Sequence, residues 1–531
     1  MINIIITLLI VLYRIPLINM LGDKGMGYYS IALSIYLLLM TCVAYGLPNS
    51  LSMILTKHHA QGKYKLLYQT IQASFLFSFI AGGGLSLLIF FGADILAEYV
   101  MKASFSAYAI RAIAPCLLIA SVAGVLHGTY YGTKLIPVSR FSKKAEEFFV
   151  AVLSIAGVYL FTKWGKEAAM TQGETALEAA YSAMGAALGL SLGVFAACVY
   201  MLLYFKRYHQ RLKLAALKDT TSVKETAFES VKAVIKYMLP FILTLVIFHL
   251  SSVTDYAIFN RIMSVQGHKE NDYMILLGML NGKYEFFLSL PLLAVNWYAS
   301  SVIPAFKQIA ESGNKRKMLS KTGQLIRYLM LFIIPCTTCY ILYAQPLMNL
   351  VFTGINETAA LLLKAGAASI VFYSLTAISN AVLNAIDQWF LVAKNAFYSL
   401  IIQVVSLLLM MIIFEWGIMA VIISRILFSV AFYVFNEHSL RECTGYVQEH
   451  KRTFKIPVIA SLIMGIGSYI VYFIADLFLS DKIAVLAAIP IGIIVYVMAL
   501  VFLGGITQHE MYRLPFGKYL APLCRKLHLV K

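Results

Sequence analysis

Three basic residues lie inside long apolar stretches of this sequence. Arg14, Lys283 and Arg425 each stand about seven or eight residues from the nearer end of their stretch, which is about 10–12 Å of helix. Ionisable groups buried this deeply in an apolar span are costly and usually face a cavity. Arginine and lysine donate charge-assisted hydrogen bonds to phosphate oxygens. We therefore predict that these side chains line a cavity that binds a phosphate or diphosphate anion.

Acidic residues at similar depth are few, chiefly Asp255 and Glu285. Lys283 and Glu285 are two positions apart and point to roughly opposite sides of a helix, so they cannot pair with each other. Each then needs a partner on another span or on a bound molecule. Asp255 and Glu285 are also the candidates for binding a coupling ion such as Na⁺ or H⁺.

Uncharged polar residues and prolines occur in the same stretches. Asn49 and Asn380 could line the cavity, or they could form hydrogen bonds between helices, which is the commoner use of asparagine in a membrane. Pro48 and Pro304 stand where long helices are expected to kink. We predict that they act as hinges.

Other charged or reactive residues have simpler explanations. Four further basic residues lie within about two turns of a span end, where long side chains reach the interface: Arg111, Lys236, Arg327 and Lys364. Cys336 and Cys339 have the spacing of a redox dithiol but lie in an apolar helix. HExxH, Walker and paired-carboxylate motifs are absent from the sequence. We predict no catalytic residues, no metal site and no cofactor.

The composition of the chain indicates that these residues lie in membrane-spanning helices. The chain has 531 residues, of which 60% are hydrophobic and 13% are charged, and its mean hydropathy is +0.79. Soluble proteins carry about 25% charged residues. The sequence therefore predicts an all-α polytopic membrane protein and excludes a soluble enzyme, a nucleic-acid-binding protein and a single-span receptor.

Apolar runs separated by charged breaks give fourteen candidate spans. Their approximate limits are 2–21, 26–55, 67–92, 108–131, 145–163, 180–205, 234–259, 275–303, 322–345, 358–385, 391–414, 417–438, 455–478 and 483–505.

The positions of lysine and arginine predict the orientation. Most of the 43 basic residues lie in or beside the loops that follow even-numbered spans and in the C-terminal tail. Cytoplasmic loops of membrane proteins carry this excess. We therefore predict a multi-pass protein of the cytoplasmic membrane with both termini in the cytoplasm.

A weak internal repeat predicts two lobes. Gly27-Tyr28-Tyr29 corresponds to Gly282-Lys283-Tyr284, and Pro48 to Pro304, at a nearly constant offset. The predicted parts are an N-terminal lobe at 1–205, a basic cytoplasmic linker at 206–233, a C-terminal lobe at 234–438, spans 13 and 14 at 439–505, and a cytoplasmic tail at 506–531. The linker is either a solvated connection, which we favour, or an interfacial amphipathic helix on anionic lipid.

Several short motifs carry a family resemblance. They are Tyr13-Arg14-Ile15-Pro16-Leu17, Leu21-Gly22-Asp23-Lys24-Gly25-Met26-Gly27-Tyr28-Tyr29, Ala44-Tyr45-Gly46-Leu47-Pro48, His127-Gly128-Thr129-Tyr130-Tyr131-Gly132, Gly282-Lys283-Tyr284 and Leu290-Pro291. In order and over nearly the whole chain, the sequence resembles the stage V sporulation protein B group of polysaccharide exporters. That group is related to the lipid II flippase MurJ, within the multidrug/oligosaccharidyl-lipid/polysaccharide exporter superfamily.

The resemblance implies a fourteen-helix fold in two lobes around a central cationic cavity. In the family this cavity takes the diphosphate-sugar head of a polyprenyl-linked precursor. Arg14 and Lys283 occupy the places of a functional arginine in span one and a basic residue in span eight. An acid follows that arginine in MurJ, whereas Ile15 stands here, so this local pairing is absent.

The expected function is translocation of a lipid-linked cell-wall or polysaccharide precursor by alternating access. Its expected partners are a polyprenyl-linked glycan lipid and membrane lipids, not nucleic acid, and the chain is expected to be a monomer. A cation-coupled multidrug exporter would share the fold. A membrane glycosyltransferase or polymerase is the alternative from another class, although neither catalytic acids nor a large outer loop are visible.

Overall fold

The computed structural model describes residues 12–219 and 226–505, and the regular elements in these ranges are helices. The α-helices of nine or more residues are α1 (Arg14–Met40), α2 (Leu47–Ala60), α3 (Tyr64–Phe91), α4 (Ala107–Gly132), α5 (Ile136–Gln172), α6 (Ala176–Lys218), α7 (Ala227–Val265), α8 (Glu270–Gly278), α9 (Glu285–Glu311), α10 (Lys315–Val351), α11 (Glu357–Gly366), α12 (Ser369–Ala385), α13 (Trp389–Ile412), α14 (Ile418–Thr444), α15 (Ile456–Asp476) and α16 (Asp481–Phe502). π-Helical turns at Thr41–Tyr45 and Met279–Tyr284 join α1 to α2 and α8 to α9.

The described helices confirm the all-α polytopic fold. Twelve stretches are long and apolar enough to cross a membrane, or thirteen when the bent pair α11 and α12 is taken as one span. The first stretch, Arg14–Ala60, contains a break at Gly22, whose φ of 64° and ψ of 171° are not helical. Gly22 therefore separates the first two predicted spans, of which residues 2–11 lie outside the described ranges.

The chain packs as two compact units. Unit 1 is Met1–Gly282 with Leu407–Ile418, and unit 2 is Lys283–Ser406 with Met419–Lys531. The continuous span formed by α8, the π-helical turn and α9 therefore begins in unit 1 and ends in unit 2. The lobe and linker boundaries drawn from the sequence repeat divide the chain differently and stay predictions.

In unit 1, Pro48 coincides with an irregular helix. Proline lacks the N–H that would bond to the carbonyl of Ala44, and its ring crowds that carbonyl, which lies in the π-helical turn just before α2. A Cβ added to Gly124 of α4 would lie 3.0 Å from this carbonyl oxygen. The glycine therefore lets α4 approach α2 at the irregular turn.

Close backbone packing also joins α8 to α1 in unit 1. A Cβ on Gly278 would overlap the carbonyl of Asp23, and a Cβ on Gly27 would overlap the carbonyl of Met274. Asn281, in the turn that follows α8, donates from Nδ2 to Ser30 Oγ at 3.2 Å. These contacts attach the start of the Lys283-bearing span to the second membrane segment.

The basic segment after the sixth predicted span begins as helix. Lys206–Lys218 continues α6, and Leu212 is buried among apolar residues of α2, α3 and α7. Leu214 and Leu217 stay exposed beside Lys213 and Lys218. This part of the predicted linker is therefore an amphipathic helix packed on unit 1, whereas residues 220–225 lie outside the described ranges.

In unit 2, polar contacts attach α15 and α16 to α10. Tyr343 Oη donates to Ser468 Oγ at 2.9 Å, and Tyr496 Oη donates to the carbonyl of Leu331 at 2.8 Å. Arg327 Nη2 donates to the carbonyl of Gly505 at 2.7 Å. The last two described helices are thus anchored to α10 by hydrogen bonds.

Candidate functional site

Arg14 lies in unit 1, at the first turn of α1. It stands eight positions before the break at Gly22, which is about 12 Å along a helix. Its side chain is half-buried. Arg14 is the first residue of the first candidate membrane span, Arg14–Ala60, and its depth and its diphosphate-binding role stay predictions.

Lys283 lies in the π-helical turn Met279–Tyr284, at the first position of unit 2. Single π-helical turns inside longer helices are frequent at functional sites. The side chain is only 3% exposed, and its Nζ donates to the backbone carbonyl of Ile355 at 3.2 Å. A buried ammonium is thus held against the loop between α10 and α11.

Arg425 and Glu285 form an ion pair within unit 2. Arg425 Nη1 lies 2.6 Å from Glu285 Oε1, and the exposed fractions of the two side chains are 8% and 33%. Glu285 therefore has a partner on another helix, as its spacing from Lys283 requires. Because the carboxylate compensates the guanidinium, Arg425 offers less net attraction to an anion than its charge alone suggests. Its predicted role in diphosphate binding remains a prediction.

The two candidate asparagines have different surroundings. Asn49 of α2 is exposed. Asn380 of α12 accepts at Oδ1 from Asn436 Nδ2 at 2.6 Å, and Asn436 Oδ1 accepts from Asn395 Nδ2 at 3.0 Å. This network joins α12, α13 and α14. Asn380 therefore makes the interhelical hydrogen bonds that were the alternative to a cavity role.

Asp255 and the two prolines complete the predicted set. Asp255 of α7 is completely buried and takes part in polar or electrostatic interactions. Pro48 is the second residue of α2 and follows the π-helical turn. Pro304 lies inside α9, which is assigned as one helix through that position. Ion coupling and hinge motion at these residues stay predictions.

The four basic residues that were predicted at span ends have different surroundings. Arg111 pairs with Asp94, and both side chains are exposed. Lys236 and Lys364 are exposed. Arg327 instead reaches the Gly505 carbonyl.

Two important groups were not identified from the sequence. The Ile355 carbonyl that accepts from Lys283 is backbone, so no residue type signals it. Glu270 accepts at Oε2 from Ser104 N–H and at Oε1 from Phe105 N–H, at 3.3 and 3.4 Å, near the start of α4. An acid at the start of a helix can be recognised in a sequence, but it suggests an interaction with the N-terminus of its own helix rather than with another helix.

No group of three histidine, cysteine or acidic side chains in residues 12–219 and 226–505 could hold a metal ion. Lys283, Glu285 and Arg425 all belong to unit 2. Arg425 pairs with Glu285, whereas Lys283 contacts the Ile355 carbonyl. An ammonium such as that of Lys283 can bind an anion through charge-assisted hydrogen bonds.

Comparisons with known proteins agree with the resemblance seen in the motifs. The family model for polysaccharide biosynthesis proteins matches residues 1–310. Stage V sporulation protein B of Bacillus subtilis (strain 168) is 21% identical over 376 residues, which cover 70% of this chain and 69% of that protein.

Two solved structures show the same fold. The lipid II flippase MurJ, in an inward closed conformation, is 15% identical with a TM-score of 0.65, covering 94% of this chain and 96% of MurJ. An inward-facing multidrug resistance MATE family transporter of the MOP superfamily is 12% identical with a TM-score of 0.65, covering 82% of this chain and 94% of that one. The predicted family and fold are confirmed.

Proposed function

Because the chain belongs to the polysaccharide biosynthesis protein family, we propose that it is a flippase for a polyprenyl-diphosphate-linked cell-wall or polysaccharide precursor. The lipid-linked head group would cross the cytoplasmic membrane by alternating access, while the polyprenyl tail stays in the bilayer. The chain is a multi-span membrane protein, and its family and structural neighbours are transporters and flippases.

The observation that carries the proposal is the buried ammonium of Lys283. It is 3% exposed in a membrane span, and its Nζ donates to the backbone carbonyl of Ile355 at 3.2 Å. An intramembrane cation of this kind favours an anionic ligand. Arg14 is the second basic group, and a guanidinium can bind two phosphate oxygens at once.

The packing of the chain supports a transport role. It forms two compact units, the kind of organisation that rocking transporters use. A membrane potential acts on a charged head group by about 2.3 kcal/mol per charge per 100 mV. We propose that both termini are cytoplasmic, so that Lys and Arg of the inner loops face the compartment where the precursor is made.

The test is a leaflet-accessibility assay of labelled lipid II in proteoliposomes. Replacing Arg14 or Lys283 by alanine should abolish flipping while the protein still folds. Arg111→Ala is the matched control, because it removes an equally charged but exposed side chain. Wild-type flipping in both the Arg14→Ala and the Lys283→Ala proteins would contradict the proposed binding site.

A cation-coupled multidrug exporter is the second candidate. The observation in its favour is Asp255, an acid completely buried in α7, together with the MATE-like fold. It predicts efflux of a cationic dye that depends on a Na⁺ or H⁺ gradient and on Asp255. Absence of such efflux, with lipid II flipping intact, would eliminate this candidate.

A further inference from the structure

The loop Phe352–Asn356, here named the strap, connects α10 to α11 and contacts Lys283. Phe352 is 3% exposed, and its ring meets those of Phe286 and Phe287 edge to face, with centroids 5.5 and 6.0 Å apart. The strap tip, Thr353 to Ile355, is exposed, and Gly354 has a φ of 86°. The strap is therefore anchored at Phe352 and open at its tip.

The other end of the strap is held by a directed hydrogen-bond chain. Gln345 Nε2 donates to Asn349 Oδ1 at 3.2 Å, and Asn356 Nδ2 donates to the same oxygen at 3.2 Å. Asn356 Nδ2 also donates to the Phe352 carbonyl at 3.1 Å. Because both partners of this amide nitrogen are acceptors, the orientation of the Asn356 carboxamide is fixed.

This orientation leaves a buried acceptor unused. Asn356 is 3% exposed, and its Oδ1 accepts no hydrogen bond from any described residue. Buried polar atoms without a partner are uncommon in proteins, and each is a candidate for a ligand or water contact. The neighbouring Ile355 carbonyl has Lys283 as its donor. The Ile355 carbonyl therefore contacts the basic group, and the next residue in the chain carries the unused acceptor.

On the proposed function, on which this step rests, a diphosphate would take hydrogen bonds from the Lys283 ammonium. The Ile355 carbonyl would then compete with the ligand for this donor. A bare diphosphate at neutral pH offers mainly acceptors, so it cannot satisfy either strap oxygen. A sugar attached to the diphosphate carries hydroxyl and amide donors that can. The requirement for donors next to an anion therefore describes a glycosyl diphosphate.

From these contacts we infer that the strap is the sugar-recognising wall of the Lys283 site. The Ile355 carbonyl and Asn356 Oδ1 accept hydrogen bonds from the sugar next to the diphosphate. The site therefore prefers the glycosylated lipid to the bare polyprenyl diphosphate that remains after the glycan is removed. This preference would keep the empty carrier from competing with the loaded one.

The inference is tested by direct binding to the purified full-length protein in nanodiscs. The two probes are polyprenyl diphosphate and the same lipid carrying one N-acetylhexosamine. The wild type should bind the glycosylated lipid about tenfold or more tightly than the bare lipid, the range expected when a buried acceptor gains its donor. Equal affinity for the two lipids would overturn the inference.

Three variants separate the inference from the proposed function. Asn356→Ala should remove the preference while leaving affinity for the bare lipid unchanged. Ile355→Ala is the matched control, because its exposed side chain is lost but its carbonyl is kept, and the preference should persist. Lys283→Ala should lower the affinity for both lipids. If Lys283→Ala lowers neither affinity, the proposed function is contradicted. If Asn356→Ala retains the preference for the glycosylated lipid, only the strap inference is contradicted.

A ligand change makes the same test without altering the protein. A lipid that carries a hexose without an acetamido group, with all its hydroxyls O-methylated, keeps the diphosphate but has no sugar donors. The wild type should bind it no more tightly than the bare lipid. Unchanged tight binding of the methylated lipid would overturn the inference even if the Asn356→Ala protein does not fold.

Discussion

Arg425 Nη1 lies 2.6 Å from Glu285 Oε1, and the two residues stand on different helices of unit 2, α14 and α9. The pair joins the helix that follows Lys283 to the helix that carries the third predicted basic residue. It also neutralises one of the charges expected to bind the substrate.

Removing the carboxylate of this pair should destabilise the protein. Glu285→Gln removes the carboxylate that lies 2.6 Å from the nearly buried Arg425 guanidinium, and we expect a loss of about 1–3 kcal/mol in the free energy of unfolding. This lies below the usual value for a fully buried pair because Glu285 is one-third exposed. Thermal unfolding in detergent measures the loss.

Two controls accompany the ion-pair measurement. Glu311→Gln removes an exposed carboxylate from the same helix and should leave stability unchanged. The double variant Glu285→Gln/Arg425→Met should recover most of the loss, because it removes both charges. A Glu285→Gln protein as stable as the wild type would show that the pair contributes nothing measurable.

Arg14 should be sensitive to the shape of its charge as well as to its sign. Arg14→Lys keeps a cation but loses the planar fork that binds two oxygens, so affinity for polyprenyl diphosphate should fall about tenfold, and further in Arg14→Ala. Binding to the protein in nanodiscs provides the measurement, with the exposed Lys236 replaced by alanine as a control. Equal affinity of the arginine and lysine proteins would argue against bidentate contact.

The crossing of α1 and α8 should not tolerate a methyl group. Gly278→Ala would drive a Cβ into the Asp23 carbonyl, and overpacking of this kind costs about 1–3 kcal/mol. Gly84→Ala is the matched control, because a Cβ there meets nothing within 4 Å. We expect the melting temperature to fall only in the first variant. Equal melting temperatures would mean that the helices can separate without cost.

The asparagine network should contribute to stability rather than to ion coupling. Asn380→Ala removes the acceptor that lies 2.6 Å from Asn436 Nδ2, which should cost about 1 kcal/mol, as for other interhelical hydrogen bonds in membranes. Flipping measured with and without a Na⁺ gradient should keep the wild-type cation dependence. A changed cation dependence in this variant, with stability intact, would instead favour the ion-coupling role.

Cysteine labelling can test the orientation. Cys443 is exposed at the end of α14, on the side that the charge pattern assigns to the cytoplasm. A variant that retains only this cysteine should react with a membrane-impermeant maleimide in inside-out vesicles and not in intact cells. Glu167→Cys, placed at an exposed position of α5 in a cysteine-free chain, should show the reverse. The opposite pattern would invert the topology.

Much of the fold could be predicted from the sequence because its signals are local. A membrane span needs about 20 apolar residues whatever surrounds it, so hydropathy located the helices and indicated that Arg14, Lys283 and Arg425 lie at depth. The Gly22 break also falls where the first two predicted spans were separated. The positions of the basic residues near span ends could also be predicted without tertiary information. The contact of Arg327 with the distant Gly505 carbonyl could not.

The partners of these residues were decided by the tertiary structure alone. Arg425 and Glu285 are 140 positions apart, and Lys283 and Ile355 are 72 apart, so no spacing rule relates them. The Ile355 acceptor is a backbone carbonyl, a group that every residue has. Asn380 shows the same limit, since an asparagine suits a cavity or a helix contact equally well until its neighbours are known. The sequence thus predicts which groups lie in the membrane, because hydropathy is local, whereas packing decides which groups contact one another.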